Sequence, residues 1–357
     1  MIITLSLVMI VKNEEKTLRR CLNSVQSLVD EIIIVDTGST DDTIQIASEF
    51  TTEIFEYPWN QDFAAARNYA LDQSASDWNL VLDADEFISN DCSAAIREFI
   101  QSGPAIGRVK VKNQFESQDG INTETSYISR IFPKQCRYIG KIHEQIQSDL
   151  SRVIIDVEIS HDGYLNQIKS TRNIPILLEC IKEHQQDAYF HYQIAKEYRG
   201  LQEHNHAVAH LRLAYQFIDR RKTFAPQIVI NYLYATIAAG TLEEGISVIE
   251  DNYEYLEESA DFFFVAALFM LELILSNPDE YSSNLALIEQ FYKRALSIGE
   301  VEVEGKVQGT GSYAAHHNLG VYYEVIGQHD LAMQQYSSAA EYNYGPSLKR
   351  LESLREK

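Results

Sequence analysis

Trp78-Asn79-Leu80-Val81-Leu82-Asp83-Ala84-Asp85-Glu86 is an apolar run that stops abruptly at three acids. Short, aliphatic and without Gly or Pro, Trp78–Leu82 reads as a buried strand. Asp83 and Asp85 stand two apart just past its C-terminal end, which is where ligands sit in open α/β sheets. An extended chain there would point both carboxylates the same way. Two hard oxygen ligands converging on one spot suit Mg²⁺ or Mn²⁺, with phosphate oxygens completing the shell. An isolated Asp-x-Asp is more often a solvated acidic turn, so the neighbouring stretches decide between the two.

Upstream, strands and helices alternate. Thr4–Ile10 reads as a strand, followed by Lys12-Asn13-Glu14-Glu15 and a helix carrying Leu18, Cys21, Leu22, Val25 and Leu28 at helical spacing. Glu31–Val35 is a second strand, and Asp36-Thr37-Gly38-Ser39-Thr40-Asp41-Asp42 joins it to a helix through Ile44, Ala47 and Phe50. Gly38 permits a tight turn there, and Ser39 or Thr40 is expected to cap the helix. Asp36 at this strand end is able to accept the N–H of a uracil ring, or is simply exposed. Glu53–Tyr57 is a third strand, and Asp62 caps a helix through Phe63, Ala66, Arg67, Ala70 and Leu71. Strands spaced by helices imply parallel pairing in a doubly wound layer.

Four segments now carry a resemblance: Val8-Met-Ile-Val-Lys-Asn-Glu-Glu15, Val35-Asp-Thr-Gly-Ser-Thr-Asp-Asp-Thr43, Phe63-Ala-Ala-Ala-Arg-Asn68 and Leu82-Asp-Ala-Asp-Glu86. In order and spacing the chain resembles family 2 glycosyltransferases, which have the GT-A fold and carry a DXD motif. The resemblance implies that Asp36 binds the nucleotide base, that Val11, Asn13 and Glu14 support base and ribose, and that Arg67-Asn68 lies near the nucleotide. It also implies that Asp83, Ala84 and Asp85 bind the ribose and a metal-bridged diphosphate, with Mg²⁺ or Mn²⁺ as the ion. The expected donor is a nucleotide-diphosphate sugar, UDP-linked.

Between Ser89 and Ser160 the pattern changes to strands at Ile106–Lys112, Ser126–Phe132 and Val153–Ile159. Arg130, in Ser-Arg-Ile-Phe, is either a neutralising cation for diphosphate or a surface strand charge. Gly140-Lys-Ile-His143-Glu144 is similar to a Gly-x-Val-His-Glu segment in the subgroup that includes sublancin-type peptide S-glycosyltransferases, with Ile142 for Val. His161-Asp162-Gly163-Tyr164 is similar to a His-Asn-Gly-Tyr segment near the end of that domain. Candidates for the general base are Glu144, His143 and Glu86, and candidates for the metal are Asp85, Asp83 and His143.

From Ile168 on, strand patterning disappears. His191-x-x-Ile194-Ala195-x-x-Tyr198 leads to Ala207-x-x-x-Leu211-x-x-Ala214, and His316-x-x-Leu319-Gly320-x-x-Tyr323 leads to Ala332-x-x-x-Tyr336-x-x-Ala339. This is the tetratricopeptide pattern of paired helices, with His replacing the first aromatic. Ile194 and Leu319 are 125 positions apart, not a multiple of the ~34-residue repeat, so irregular pairs must lie between. Asn231–Ala239 with Leu242–Ile249, and Phe262–Leu275 with Leu285–Leu296, are the expected pairs, and Gly299–Gly311 is an expected exposed loop. The fold class is therefore α/β: a GT-A (Rossmann-like, mostly parallel sheet) domain at residues 1–167, followed by an all-α tetratricopeptide-like helical array at residues 168–357.

Composition narrows the partners. The 357 residues hold 30 basic and 52 acidic side chains, a net charge of −22, which argues against a nucleic-acid or anionic-membrane binder. Met1–Val11 lacks the basic start and cleavage site of a leader. The apolar stretch Phe262–Leu275 is short and broken by Glu272, so it reads as a buried helix rather than a membrane span. Cys21, Cys92, Cys136 and Cys180, with no Cys-x-x-Cys, read as free thiols of a cytoplasmic protein.

The expected reaction is inverting transfer of a hexose to an acceptor. The acceptor is a peptide Cys or Ser side chain gripped by the array, or a surface polysaccharide or lipid-linked glycan. A homodimer through the array is a further expectation. A non-catalytic tetratricopeptide adaptor with a relic sugar-nucleotide domain is the rival of a different class, and intact Asp36, Asp83 and Asp85 argue against it. The first strand lacks the Gly-rich basic loop of a nucleotidyltransferase.

Overall fold

A computed structural model describes residues 3–117, 120–161, 170–300 and 307–355. The chain divides into two compact units, Met1–Ile168 and Lys169–Lys357.

In the first unit, β1 (Leu5–Val11), β2 (Glu31–Asp36), β3 (Ile54–Glu56) and β4 (Trp78–Val81) pair in parallel. Their crossovers carry α1 (Leu18–Val25), α2 (Thr43–Ala47) and α3 (Phe63–Gln73). The alternation along β1 shows why these runs are apolar throughout. Leu5, Leu7 and Met9 enter one core layer with Leu18, Leu22 and Val25 of α1. Val8 enters the opposite layer with Ala64, Ala70 and Leu71 of α3. A sheet covered on both faces buries both sides of its central strands.

The second half of this unit turns the sheet mixed. After β5 (Glu86–Ile88) and α4 (Ser93–Gln101) come β6 (Ile106–Ser117), β7 (Gly120–Pro133), β8 (Arg137–Ile139), β9 (Gln145–Gln147) and β10 (Arg152–His161). The sheet order is β3-β2-β1-β4-β7-β6-β10-β5, with β8 and β9 as a separate ribbon. β7 runs antiparallel between β4 and β6, and β5 runs antiparallel along β10. This last pairing sets His161 directly opposite Glu86. Two ends of the chain's site, 75 positions apart in sequence, are thereby joined by sheet register.

The second unit is all helix among its described residues. α5 (Ser170–Glu183), α6 (Ala188–Gly200), α7 (His204–Gln216), α8 (Ala225–Ala239), α9 (Gly245–Asn252), α10 (Ala260–Ser276), α11 (Pro278–Tyr281) and α12 (Leu285–Ile298) follow in turn. α13 (Tyr313–Val325), α14 (His329–Ala340) and α15 (Gly345–Arg355) complete it. The two signature copies form α6–α7 and α13–α14, and the expected middle pairs form as α8 with α9 and α10 with α12. The signature histidines are structural: His191 Nε2 lies 3.0 Å from the Gln185 carbonyl and His316 Nδ1 lies 2.7 Å from Gln335 Oε1. All four cysteines are free and buried. Among the described residues no helix is long and apolar enough to cross a membrane.

The expectation of an exposed loop at Gly299–Gly311 needs correction. Residues 301–306 lie outside the described residues, but Gly309, Thr310, Gly311 and Ser312 are buried. Thr310 Oγ1 donates to the buried Asp261 carboxylate, and Glu300 Oε1 accepts from the Gly309 N–H at 2.8 Å and from Ser312 Oγ at 2.7 Å. A Cβ on Gly311 would stand 2.3 Å from the Gly299 carbonyl oxygen. Gly311 is there for a close approach of backbone to backbone.

Size compensation explains the two signature copies. Where α13 has Gly320, α14 presents Tyr336, and a Cβ on Gly320 would lie 2.7 Å from that ring. The matching signature positions in α6 and α7 are Ala195 and Leu211, Ala in place of Gly and Leu in place of Tyr. Gly320→Ala is expected to destabilise the array by about 1–3 kcal/mol, as overpacking does. Gly320→Ala combined with Tyr336→Leu should recover part of the loss, although Tyr336 also gives up its 2.9 Å bond to Glu324. Denaturant midpoints of the two variants check this, and equal midpoints would contradict it.

Candidate active site

The site is built from the C-terminal ends of β1, β2 and β4, where the parallel strands release their loops. β1 and β2 end together, Val11 opposite Asp36. Asp36 is buried, and its carboxylate accepts the backbone N–H groups of Gly38 at 3.1 Å and Ser39 at 3.0 Å. Gly38 makes the turn at φ +105°, a conformation that suits glycine.

The hydroxyls after Gly38 do not cap α2, contrary to the sequence expectation. α2 begins after Asp42 with no side-chain cap. Ser39 Oγ instead accepts the Asn13 N–H at 2.9 Å, Asn13 Oδ1 accepts the Thr40 N–H at 2.8 Å, and Thr43 Oγ1 accepts the Glu14 N–H at 2.7 Å. Asn13 sits at φ +55°, which Asn tolerates better than other L-residues. Capping potential is spent on lacing two loops together, which fixes the floor under Asp36.

At the end of β4 the chain turns rather than running on. The Glu86 N–H donates to the Asp83 carbonyl at 3.0 Å, and this turn sends the two aspartates different ways. Asp83 faces two arginines: Oδ1 lies 2.7 Å from Arg67 Nη2 and Oδ2 lies 3.1 Å from Arg130 Nη2. Arg67 also reaches Glu144 at 2.5 Å, and Arg130 reaches Glu86 at 2.5 Å. Glu144, Arg67, Asp83, Arg130 and Glu86 therefore form one row of alternating charge. Burial by itself would raise the Asp83 pKa, but Arg67 and Arg130 overturn this and hold the carboxyl well below the usual range. Burial pushes Glu86 the other way, above its ordinary value, against the pull of Arg130.

Glu86 is 2% exposed, and its second oxygen accepts the Asp83 N–H at 2.9 Å. Bonded at both oxygens and buried, Glu86 holds the turn in place and is closed off from an acceptor. Both arginines are also buried, and Arg67 Nη1 and Arg130 Nε have no hydrogen-bond partner among the described residues. Unused donors on two buried guanidinium groups suit an anionic ligand.

Asp85 is buried and faces β10. Its Oδ2 lies 3.3 Å from His161 Nε2, while His161 Nδ1 lies 2.8 Å from Asn113 Oδ1. Asn113 Nδ2 faces Ser126 Oγ at 3.3 Å. An imidazole nitrogen beside a carboxylate oxygen is a donor pair that a divalent cation can take. Among the described residues no three His, Cys, Asp or Glu side chains gather as a metal site. Asp83, Asp85 and His143 therefore do not form one ligand group, because the turn gives Asp83 to the arginines. Asp85 with His161 is the pair that fits a divalent ion, provided a ligand completes the shell.

His161 entered the sequence reading through the segment similar to His-Asn-Gly-Tyr near the end of the domain, with no role assigned to it. Its signal was a histidine closing the strand-like run Val153–Ile159, but no spacing rule ties it to Asp85; the β5–β10 pairing does. Asp162, Gly163 and Tyr164 lie outside the described residues.

The Arg-Asn pair of α3 has two tasks. Arg67 enters the charge row, and its guanidinium carbon lies 5.6 Å from the Tyr138 ring centre. Asn68 bonds the Tyr138 backbone in both directions, at 2.8 and 2.9 Å. The Phe63 N–H donates to the Lys141 carbonyl at 2.8 Å. Together these bonds hold β8 and the Gly140–Glu144 turn against α3. His143 occupies that turn at φ +53° and is partly buried. Ala84 is buried within the aspartate turn.

Parts of this chain are similar to known proteins. A TPR repeat-containing protein of Synechococcus elongatus is 37% identical over 147 residues, 41% of this chain and 36% of that protein. The SPbeta prophage-derived glycosyltransferase SunS of Bacillus subtilis is 26% identical over 265 residues, 67% of this chain and 63% of that protein. The chain thus spans less than two thirds of the length of either relative. Among solved structures, S. aureus TarS 1-349 aligns with 71% of this chain and 92% of its own, at 14% identity and a TM-score of 0.37. Residues 6–155 match the family model for Glycosyl transferase family 2. Asp36, Arg67, Asp83 and Asp85 all lie within the stretch that matches the Glycosyl transferase family 2 model.

Proposed function

We propose that this chain is a metal-dependent inverting glycosyltransferase that moves a hexose from a UDP-sugar to an acceptor side chain on a peptide. The observation that carries this reading is the Asp85–His161 pair standing beside two buried arginines with unused donors. One offers a divalent cation site and the other an anion site, as a nucleotide diphosphate requires.

In this reading Asp36 accepts the ring N–H of uracil with lone pairs its two backbone bonds leave over. The laced loops at Val11–Glu14 and Gly38–Thr40 hold the base and ribose without rearranging. Asp83 stays ionised between its arginines and accepts from the ribose hydroxyls. Asp85 and His161 hold Mg²⁺ or Mn²⁺, which when bound neutralises charge on the departing diphosphate. Arg67 and Arg130 supply fixed donors to the same diphosphate oxygens. Proton acceptance from the nucleophile falls to the Gly140–Glu144 turn, through Glu144 or His143. Glu144 lends one oxygen to Arg67 and keeps the other for the acceptor. A cysteine acceptor would demand little of this base, since a thiol ionises near neutrality.

The peptide acceptor rests on the helical array, since such arrays form extended surfaces for polypeptides. A surface glycan is the other acceptor class. Thermal unfolding in the presence of UDP and a panel of UDP-hexoses, with and without Mn²⁺, tests the donor half. Saturation at about 100 times Kd adds about 2.7 kcal/mol, so metal-dependent stabilisation by UDP and one UDP-hexose is expected. No stabilisation by any member would favour the non-catalytic adaptor.

A further inference from the structure

Three loops frame Asp36, and only one of them carries aromatic rings. The loop after β1, Val11-Lys-Asn-Glu-Glu15, has none, and neither has Thr37-Gly-Ser-Thr-Asp-Asp-Thr43. The loop after β3 reads Tyr57-Pro58-Trp59-Asn60-Gln61-Asp62-Phe63. It is tied to the base end of the site, because the Tyr57 N–H donates to the Asp36 carbonyl at 2.8 Å.

This loop is braced at every step. The Tyr57 ring lies 5.1 Å from Tyr69 of α3, and Asn60 Nδ2 donates to the Tyr57 hydroxyl at 3.1 Å. Gln61 turns at φ +64°, and Asp62 caps α3 by accepting the Ala65 N–H at 2.9 Å. Trp59 packs edge-on against Phe63, with ring centres 4.7 Å apart and an interplanar angle of 64°. The indole beside it is only partly buried. Tyr57 is thus a strut under the loop, and Trp59 is the ring it presents.

A nucleobase bound edge-on to a carboxylate still exposes two π-faces, and aromatic side chains are the usual cover for them. We propose that Trp59 is the stacking wall of the nucleobase subsite, with Asp36 reading the edge of the base and Trp59 covering its face. This inference rests on the proposed nucleotide-sugar reading and adds a residue that the aspartates and arginines do not supply.

The chain has two tryptophans, Trp59 and Trp78, and Trp78 is buried in the core against Phe99. Stacked uracil should therefore quench Trp59 and leave Trp78 unaffected. In the full chain with Mn²⁺, UDP is expected to quench the wild type, and Trp59→Phe is expected to lose that quenching. UDP affinity, measured by calorimetry, is expected to fall about tenfold in Trp59→Ala and less than about threefold in Trp59→Phe, since stacking contributes about 1–3 kcal/mol. Pyrophosphate with Mn²⁺ has no base, so its affinity should be the same in the wild type and in Trp59→Ala.

Unchanged UDP affinity in Trp59→Ala would overturn the stacking role, and a fall in turnover alone would move Trp59 to the acceptor side. Parallel losses for UDP and pyrophosphate would show a damaged site and equally overturn it. If wild-type protein binds pyrophosphate but not UDP, the nucleotide-sugar reading fails along with it.

Discussion

Asp85→Asn is expected to reduce sugar transfer, or UDP-hexose hydrolysis where no acceptor is supplied, by about 10²–10³-fold. That is the scale on which loss of one preorganised electrostatic group is felt. Asn has the same shape and keeps a polar contact for His161, so the buried turn retains its packing. What it loses is the anionic oxygen 3.3 Å from the imidazole. The expected pattern is therefore a folded protein, an unchanged melting temperature within a few degrees, and a weakened Mn²⁺ requirement for UDP binding. Asp83→Asn differs in kind. Asp83 contacts two guanidinium groups, so its loss should disturb the row of charges and lower stability as well as activity. Normal turnover in Asp85→Asn would remove the metal from the Asp85–His161 pair. A loss of turnover with a large loss of melting temperature would make Asp85 a structural residue.

The parallel half of the first unit was legible because both of its signals are local. Runs such as Ile32-Ile33-Ile34-Val35 read as strands, and Asp62 before Phe63 reads as a helix cap, which it forms by accepting the Ala65 N–H. The two aspartates were legible as strand-end acids but not as separate groups. Their divergence depends on a turn whose hydrogen bond, from the Glu86 N–H to the Asp83 carbonyl, leaves no mark in an Asp-x-Asp spacing. Ser39 and Thr40 illustrate the same limit: a hydroxyl that could cap a helix serves a neighbouring loop once Asn13 is brought beside it. His161 was legible as part of a resembling segment but its nearness to Asp85 was not, because that comes from the β5–β10 pairing. Glu86 looked like an available base, and only burial reveals that both its oxygens are taken. In the array, Gly320 and Tyr336 were legible as signature positions, whereas the burial of Gly309–Ser312 follows from a backbone approach that a Gly-rich sequence does not distinguish from an exposed loop.

Arg130→Met should be the most destabilising single change in the site. Its guanidinium is the charge partner of Glu86, whose side chain is 2% exposed, at 2.5 Å. Removing one member of a buried pair leaves the other uncompensated and costs about 3–5 kcal/mol. For a unit of this size that is a fall of about 10 °C in melting temperature. Asp83 should contribute less to the loss, because it is 39% exposed and keeps Arg67. The pH dependence identifies the mechanism. Burial already raises the Glu86 pKa, and Arg130 opposes that rise. Without Arg130 the folded-state pKa climbs further above the unfolded value of about 4.3. The folded state then holds a proton that the unfolded state has released, so the stability of the variant falls as pH rises through that interval. The deficit relative to wild type should therefore be smaller at about pH 5 than at about pH 8. Adding Glu86→Gln to Arg130→Met removes the buried charge while keeping an oxygen for the Asp83 N–H, and should restore much of the lost melting temperature and remove the pH dependence. Thermal melts of the single and double variants at the two pH values decide the matter. A deficit equal at both, with no recovery in the double variant, would mean that Arg130 stabilises the unit by packing alone and that the charge on Glu86 is not what it compensates.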